Sequence, residues 1–185
     1  MLVLIRHAEV AADPHAPSDT WTLSPDGAAT AAVLGRHPAL ANVDLIATSP
    51  EPKALATAKV IAKERDIVVA DGLRELDRRA AGWVGTTDEY ADLIETIMNR
   101  PTESIRGCES AAQAGERVTR AIEDLLAANP HRSLAVVSHG IVLTLYLSAL
   151  LGLPTPDPAL WRGIGMPDLA VVDPVSRGVI VGFGQ

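Results

Sequence analysis

Short apolar runs separated by stretches of helix length constrain this chain more than any other feature. "LVLI" (2–5) is a continuous apolar run of strand length, as expected of a central parallel strand covered on both faces. "DLIAT" (44–48), "DIVVA" (66–70) and "SLAVV" (133–137) follow as further strands. "LAVVD" (169–173) and "GVIVGF" (178–183) read as a closing pair around a turn at Pro174–Arg177. The intervening segments carry helix signals. Ser24-Pro25 is an N-cap followed by proline at the first helical position, opening an alanine-rich helix to about Arg36. Ser49-Pro50 repeats that signal, and Ala54, Ala58 and Ile61 form the stripe behind it. A helix is predicted from about Thr87 to Asn99. Between Glu109 and Ala128, Ala114, Val118, Ala121, Ile122, Leu125 and Leu126 fall on one helical face. "IVLTLYLSALL" (141–151) is apolar almost all round, which predicts a core helix stopped by Gly152 and Pro154. The alternation predicts an α/β fold with a mainly parallel sheet.

Composition narrows the function classes. A length of 185 residues suits one domain spanning 1–185, long enough to bury a core on both sides of a sheet. With 48% hydrophobic and 21% charged residues the chain reads as soluble and globular. The net charge of −7 disfavours nucleic acid and anionic membrane as partners. Cys108 stands alone, so neither an internal disulfide nor a cysteine zinc site is expected. No apolar stretch reaches spanning length, and Arg6 and His7 interrupt the first run too early for a signal peptide. The expectation is an acidic cytoplasmic protein.

In open parallel α/β sheets, ligands bind beyond the carboxyl ends of the strands. Arg6 and His7 follow the first strand, Ser49 to Lys53 the second, "RELDRR" (74–79) the third, and Ser138-His139-Gly140 the fourth. Two histidines, several cations and two carboxylates therefore converge on one rim, an inventory that suits an anion. The helix after Gly140 adds backbone N–H donors and a positive dipole end. Taken singly, each residue has a plainer reading: His7 or His139 as a solvated loop residue, Lys53 as a charge on a helix face, and Glu75, Asp77, Arg78 and Arg79 as surface. Their joint placement favours the site. His15, His37 and His131 lie in loops and are assigned no role.

"LIRHAEV" resembles the signature of the histidine phosphatase superfamily, the phosphoglycerate-mutase-like proteins, in which an apolar strand ends in R-H-G-E/D-T/S. "LSPDG" (23–27) is similar to the family's L-T-x-x-G helix entry, and "TSPEPKALATA" (48–58) to T-S-P-L-x-R-A-x-Q-T-A. "LRELDRRAAGWVG" (73–85) resembles L-x-E followed by G-x-W-x-G, "GCES" (107–110) loosely matches G-E-S, and "VVSHGIV" (136–142) closely matches V-S-H-G-x-V. All stand in the family's order.

The resemblance implies a three-layer αβα sandwich, with helices on both faces of the mainly parallel sheet, and a covalent phosphoryl transfer with neither metal nor cofactor. His7 would attack phosphorus and form a phosphohistidine. Arg6 and His139 would hold phosphoryl oxygens, Gly140 would let its backbone approach, and Glu75 would protonate the leaving oxygen and then activate water. Lys53, Gly140, Asp13 and Asp77 are the candidate substrate contacts. The implied partner is a phosphorylated small molecule or a phosphoprotein.

The departures are specific. Lys53 replaces the family's second arginine, so one forked donor becomes a point charge. Val10 replaces a hydroxyl residue, Asp13 an asparagine and Ala8 a glycine. The spacing from Glu75 to Gly82-Trp83 exceeds the usual one, which leaves Asp77 as an alternative acid. Two other readings stay open: a non-catalytic phosphate-binding member of the fold, and a phosphohistidine protein phosphatase. A cysteine-dependent phosphatase is excluded, because the C-x5-R loop would need arginine where Ala114 stands, and no P-loop motif occurs.

Overall fold

The computed structural model describes residues 1–185. Six strands form one sheet: β1 (Leu2–Arg6), β2 (Leu45–Thr48), β3 (Asp66–Val69), β4 (Leu134–Ser138), β5 (Asp168–Asp173) and β6 (Gly178–Val181). Their spatial order is β3-β2-β4-β1-β5-β6. β1 and β4, β2 and β4, and β2 and β3 pair in parallel, while β5 runs antiparallel to both β1 and β6. Six helices flank it: α1 (Pro25–Leu34), α2 (Pro52–Ala62), α3 (Thr87–Asn99), α4 (Ala111–Ala128), α5 (Gly140–Leu150) and α6 (Pro158–Gly163).

Period-two alternation explains why the strands read as continuous apolar runs. Leu2, Leu4, Leu45, Ala47, Leu134 and Val136 point into a core shared with α3, α4 and α5. Their neighbours Val3, Ile5, Ile46, Ala135 and Val137 point the other way, against Ala54, Ala58 and Ile61 of α2. Both faces are covered, so neither alternate position can be polar. α5 is buried along almost its whole length, as its all-round apolarity requires.

Local signals set most boundaries. The Ser24 hydroxyl accepts from Gly27 N–H at 2.9 Å, and Ser110 with Gln113 and Thr86 with Glu89 form capping boxes. The second helix departs from expectation: its N-cap is Glu51 and Pro52 takes the first turn, because Ser49 instead turns its hydroxyl to Glu51 N–H and to His139. α6 was not anticipated, although Asp157-Pro158 is the same cap-and-proline signal and the Asp157 carboxylate accepts from Ala159 N–H at 2.9 Å. α1 ends at Leu34 and β6 at Val181, both short of the expected bounds.

Gly27 locks the segment after β1 onto α1. A Cβ there would lie 2.1 Å from the Glu9 carbonyl oxygen, and that same oxygen accepts from Ser24 N–H at 3.0 Å. Backbone faces backbone, so no flexible side chain can yield. Gly27→Ala should lower stability by about 3 kcal/mol, read as a drop in the urea midpoint at unchanged m-value.

Candidate active site

β1 brings Arg6, its last residue, and His7, the next, to the carboxyl rim. The His7 ring is buried, and its Nδ1 lies 2.7 Å from the Ala8 carbonyl oxygen. A carbonyl only accepts, so Nδ1 carries the proton and Nε2 keeps its lone pair. Burial first, and then the charges of Lys53 and Arg6, hold the His7 pKa down at about 3 despite the Ala8 bond. A neutral imidazole with a free Nε2 is the form a nucleophile needs.

Arg6 is fixed by a 2.6 Å bond from Nη1 to the Ile164 carbonyl, and its buried Nε has no partner. Gly140 makes room for it. A Cβ at Gly140 would sit 3.2 Å from both Nε and Cζ of Arg6, so the missing side chain accommodates the guanidinium. That is a different use from the backbone approach expected of this glycine.

His139 packs its ring 5.1 Å from that of His7. Its Nε2 lies 2.8 Å from Ser49 Oγ, and Ser49 Oγ already accepts from Glu51 N–H. His139 Nε2 is the one acceptor within reach of the Ser49 hydroxyl, so the hydroxyl proton is assigned to it and the ring's own proton to Nδ1, a buried atom with no partner. Burial and the cations around it lower its pKa too. His7 offers a lone pair to the cavity, and His139 lies fully buried behind it with an unspent N–H donor.

Glu75 caps α5 from outside the helix. Its Oε2 accepts from Ile141 N–H and its Oε1 from Val142 N–H, each at 3.2 Å, and Oε1 also accepts from Leu76 N–H at 2.9 Å. Desolvation nevertheless outweighs these bonds and pushes the carboxyl pKa up. Arg117 of α4 holds the segment in place, donating to the carbonyls of Gly72 and Arg74 at 2.9 Å and Glu75 at 3.3 Å. Ser138 Oγ ties Leu73 to the end of β4 at 2.7 Å.

The other expected contacts divide. Lys53 is buried at the cavity, but its ammonium is already held by the Glu51 carboxylate and by the Ser18 carbonyl at 2.6 Å. Asp13 is a correction: it is exposed and outside the cavity, its carboxylate accepting from His15 N–H, while its carbonyl accepts from Trp21 Nε1. Asp77 is another, because its carboxylate turns outward to Arg79, with Nε to Oδ1 at 3.0 Å. That pairing holds its pKa down at about 2, the wrong direction for a proton donor.

Glu51 escaped the sequence reading. Buried between three segments, it accepts from Lys53 Nζ through Oε2 and from Glu75 N–H at 2.7 Å through Oε1, which lies 3.5 Å from His139 Nε2. The signal was present: a carboxylate stands where the resembled motif has leucine, two residues before a lysine in place of arginine. Lys53→Met leaves that carboxylate buried and unpaired, and should cost about 3 kcal/mol of stability. Adding Glu51→Gln should recover part of the loss in a thermal-unfolding cycle; strict additivity would refute the coupling.

Arg6, His7, Lys53, Glu75 and Gly140 line one cavity of about 320 Å³, walled by Val10, Trp21, Trp83, Tyr90, Trp161 and Met166 among others. Within the size range of small-ligand pockets, it has a cationic and nucleophilic floor and an aromatic mouth.

Within a mixed α/β sheet, the ends of β1 and β4 bring paired histidines and a guanidinium to one rim, a set of groups suited to an anion. Comparison with known proteins agrees. The profile of the histidine phosphatase superfamily (branch 1) matches residues 2–173, and the chain belongs to that family. It is 31% identical over 162 residues to the probable phosphoglycerate mutase GpmB of Proteus mirabilis, covering 82% of this chain and 74% of the relative. Phosphoserine phosphatase 1 of Hydrogenobacter thermophilus is 28% identical over 169 residues, covering 82% and 76%. Among solved structures, Entamoeba histolytica phosphoserine phosphatase in complex with 3-phosphoglyceric acid superposes with a TM-score of 0.74 at 22% identity, over 100% of this chain and 96% of that one. A mycobacterial hydrolase gives 0.76 at 23% identity, over 91% and 89%. Family and relatives support a phosphatase- or mutase-type activity. No helix is long and apolar enough to cross a membrane.

Proposed function

We propose that the protein is a cytoplasmic, metal-independent phosphomonoester hydrolase, one catalytic unit spanning residues 1–185, acting through a phosphohistidine on His7. The observation that carries this reading is the His7 imidazole itself, neutral and with Nε2 free, in a cavity lined by Arg6 and Lys53. Nε2 attacks phosphorus and the bond to the leaving oxygen breaks. Arg6 and His139 Nδ1–H take up the charge on the phosphoryl oxygens. Glu75, whose pKa is pushed up by burial, gives a proton to the leaving oxygen. As a carboxylate it then takes one from the water that cleaves the P–N bond, which returns His7 neutral and releases phosphate. The substrate is a phosphorylated small molecule, the class that the names of the relatives specify for those proteins.

The test is acid-sensitive trapping. Labelled aryl phosphate, quenched in alkali within milliseconds, should leave label on His7, stable to base and lost in acid. A second reading is favoured by one observation: the Lys53 ammonium is already engaged by Glu51 and Ser18. If phosphate binds but neither label nor turnover is found, the chain is a phosphate-binding member of the fold.

A further inference from the structure

The Lys53 ammonium stands between two cavities. Lys53 lines the one that holds His7 and Arg6, and its charge is among those that hold the His7 pKa down. Its two partners open onto another: Ser18 and Glu51 line a second cavity of about 230 Å³, together with Asp19 and Glu75. Two of the three ammonium N–H donors are therefore committed before any anion arrives. Glu51 does not line the His7 cavity but sits behind its wall, with Oε1 on the Glu75 N–H and 3.5 Å from His139 Nε2.

No second cation is free to replace Lys53 at Glu51. Lys53, Glu75 and His139 are the titratable residues within reach of its carboxylate. Around the second cavity, Arg74 is paired with Asp71 and Arg79 with Asp77. Arg78 is held on Tyr90, 4.8 Å above the ring, and Asp19 adds a further carboxylate. A phosphoryl dianion drawn to Lys53 thus brings negative charge up to a buried carboxylate that depends on the same ammonium. Like charges in a buried site oppose joint ionisation, and a carboxylate that loses its cation favours its neutral form. Leucine, which the resembled motif has at this position, carries no charge to neutralise.

We propose that Glu51 is a positioning residue for Lys53 that works by proton exchange: it holds the ammonium in the free protein, and it takes up a proton when the phosphoryl group claims that ammonium. The proton adds to Oε2, the oxygen that Lys53 vacates, while Oε1 keeps the Glu75 N–H. Solvent supplies it through the second cavity, and it leaves again when phosphate departs. This inference rests on the reading of the His7 pocket as a phosphomonoester site, and adds that the anion is bound together with one proton.

Sulfate separates the protein's proton from the ligand's, because it stays a dianion where phosphate titrates. Both anions are titrated calorimetrically into the full-length His7→Ala variant, which removes that imidazole as a proton acceptor. From about pH 7 down to about pH 5, sulfate should bind more tightly by up to about tenfold per pH unit, the slope of one linked proton. Adding Glu51→Gln should flatten that profile. It should also raise the affinity near neutral pH about tenfold or more, since Lys53 is then released without a proton. A residue that only supported the fold would weaken binding when replaced. A flat sulfate profile with Glu51 in place overturns the proposal, whether or not the Glu51→Gln variant folds, and leaves the phosphomonoester pocket intact. A slope that survives Glu51→Gln overturns it by placing the proton on Glu75 or His139. Binding of phosphate without binding of sulfate overturns it by placing the proton on the ligand. Absence of binding by either anion overturns the underlying reading as well.

Discussion

His7→Ala should lower kcat/KM for any phosphomonoester by about four orders of magnitude or more, and no phosphoenzyme should be trapped. The size of the effect follows from how completely this ring is committed. Its Nδ1 proton is spent on Ala8, its charged form is suppressed by burial and by two cations, and its Nε2 has no other partner. No neighbour can substitute, since Nε2 of His139 is occupied by Ser49. Phosphate should still bind, because Arg6 and His139 Nδ1–H remain. A second readout comes from acid. The folded-state pKa of His7 is about 3 against an ordinary value of 6.5, so the unfolded chain binds a proton that the native one refuses. That contribution to stability is fully present above pH 6.5 and is lost as pH falls towards 3. The variant should therefore lose stability less steeply across that window, by up to about 1.4 kcal/mol per pH unit. An unchanged slope would mean that the ring is solvated and free to protonate. Turnover unchanged in the variant would remove the covalent mechanism altogether.

Much of this arrangement can be read from the chain because its physics is local or periodic. Burial on both faces forces apolar residues at every position of β1, β2 and β4, and the cap-and-proline pairs mark where helices begin. The carboxyl rim then follows from the direction of parallel strands, and the sequence alone directs Arg6, His7, Glu75, Lys53, His139 and Gly140 towards it. What stayed hidden depends on side-chain direction in irregular segments. Arg78 and Arg79 are adjacent and identical in kind, yet one turns onto Tyr90 while the other stays with Asp77 in solvent. No periodicity governs that choice. Glu51 was hidden for another reason: its partners Lys53, Glu75 and His139 come from three segments far apart in sequence, and only folding reveals that one carboxylate serves all of them. The use of Gly140 was hidden too, since the volume its missing side chain opens belongs to the Arg6 guanidinium.

Glu75→Gln should split the two half-reactions. With an alkyl phosphate the leaving oxygen must be protonated as it departs, so loss of the acid should slow the first step by about two to four orders of magnitude. With 4-nitrophenyl phosphate the phenolate leaves as the anion, so the first step should be spared. The second step needs a base in both cases, and an amide is none. The variant should therefore release a burst of about one equivalent of nitrophenolate per site and then stall as phosphoenzyme. No burst is expected with the alkyl ester. In the native protein the same assignment sets the pH profile: the carboxyl pKa is raised by burial, so the alkyl-ester rate should hold through mildly acidic pH and fall as pH rises through that raised value. For kcat/KM, which reports the first step alone, the acid limb should be absent until pH approaches the His7 value of about 3. The corresponding change at Asp77 should leave both patterns in place, because its carboxylate is held ionised by Arg79 and points away from the cavity. If Asp77→Asn instead produced the nitrophenolate burst, the proton donor would be Asp77, and the bonds from Glu75 to Ile141 and Val142 would have only a helix-capping role.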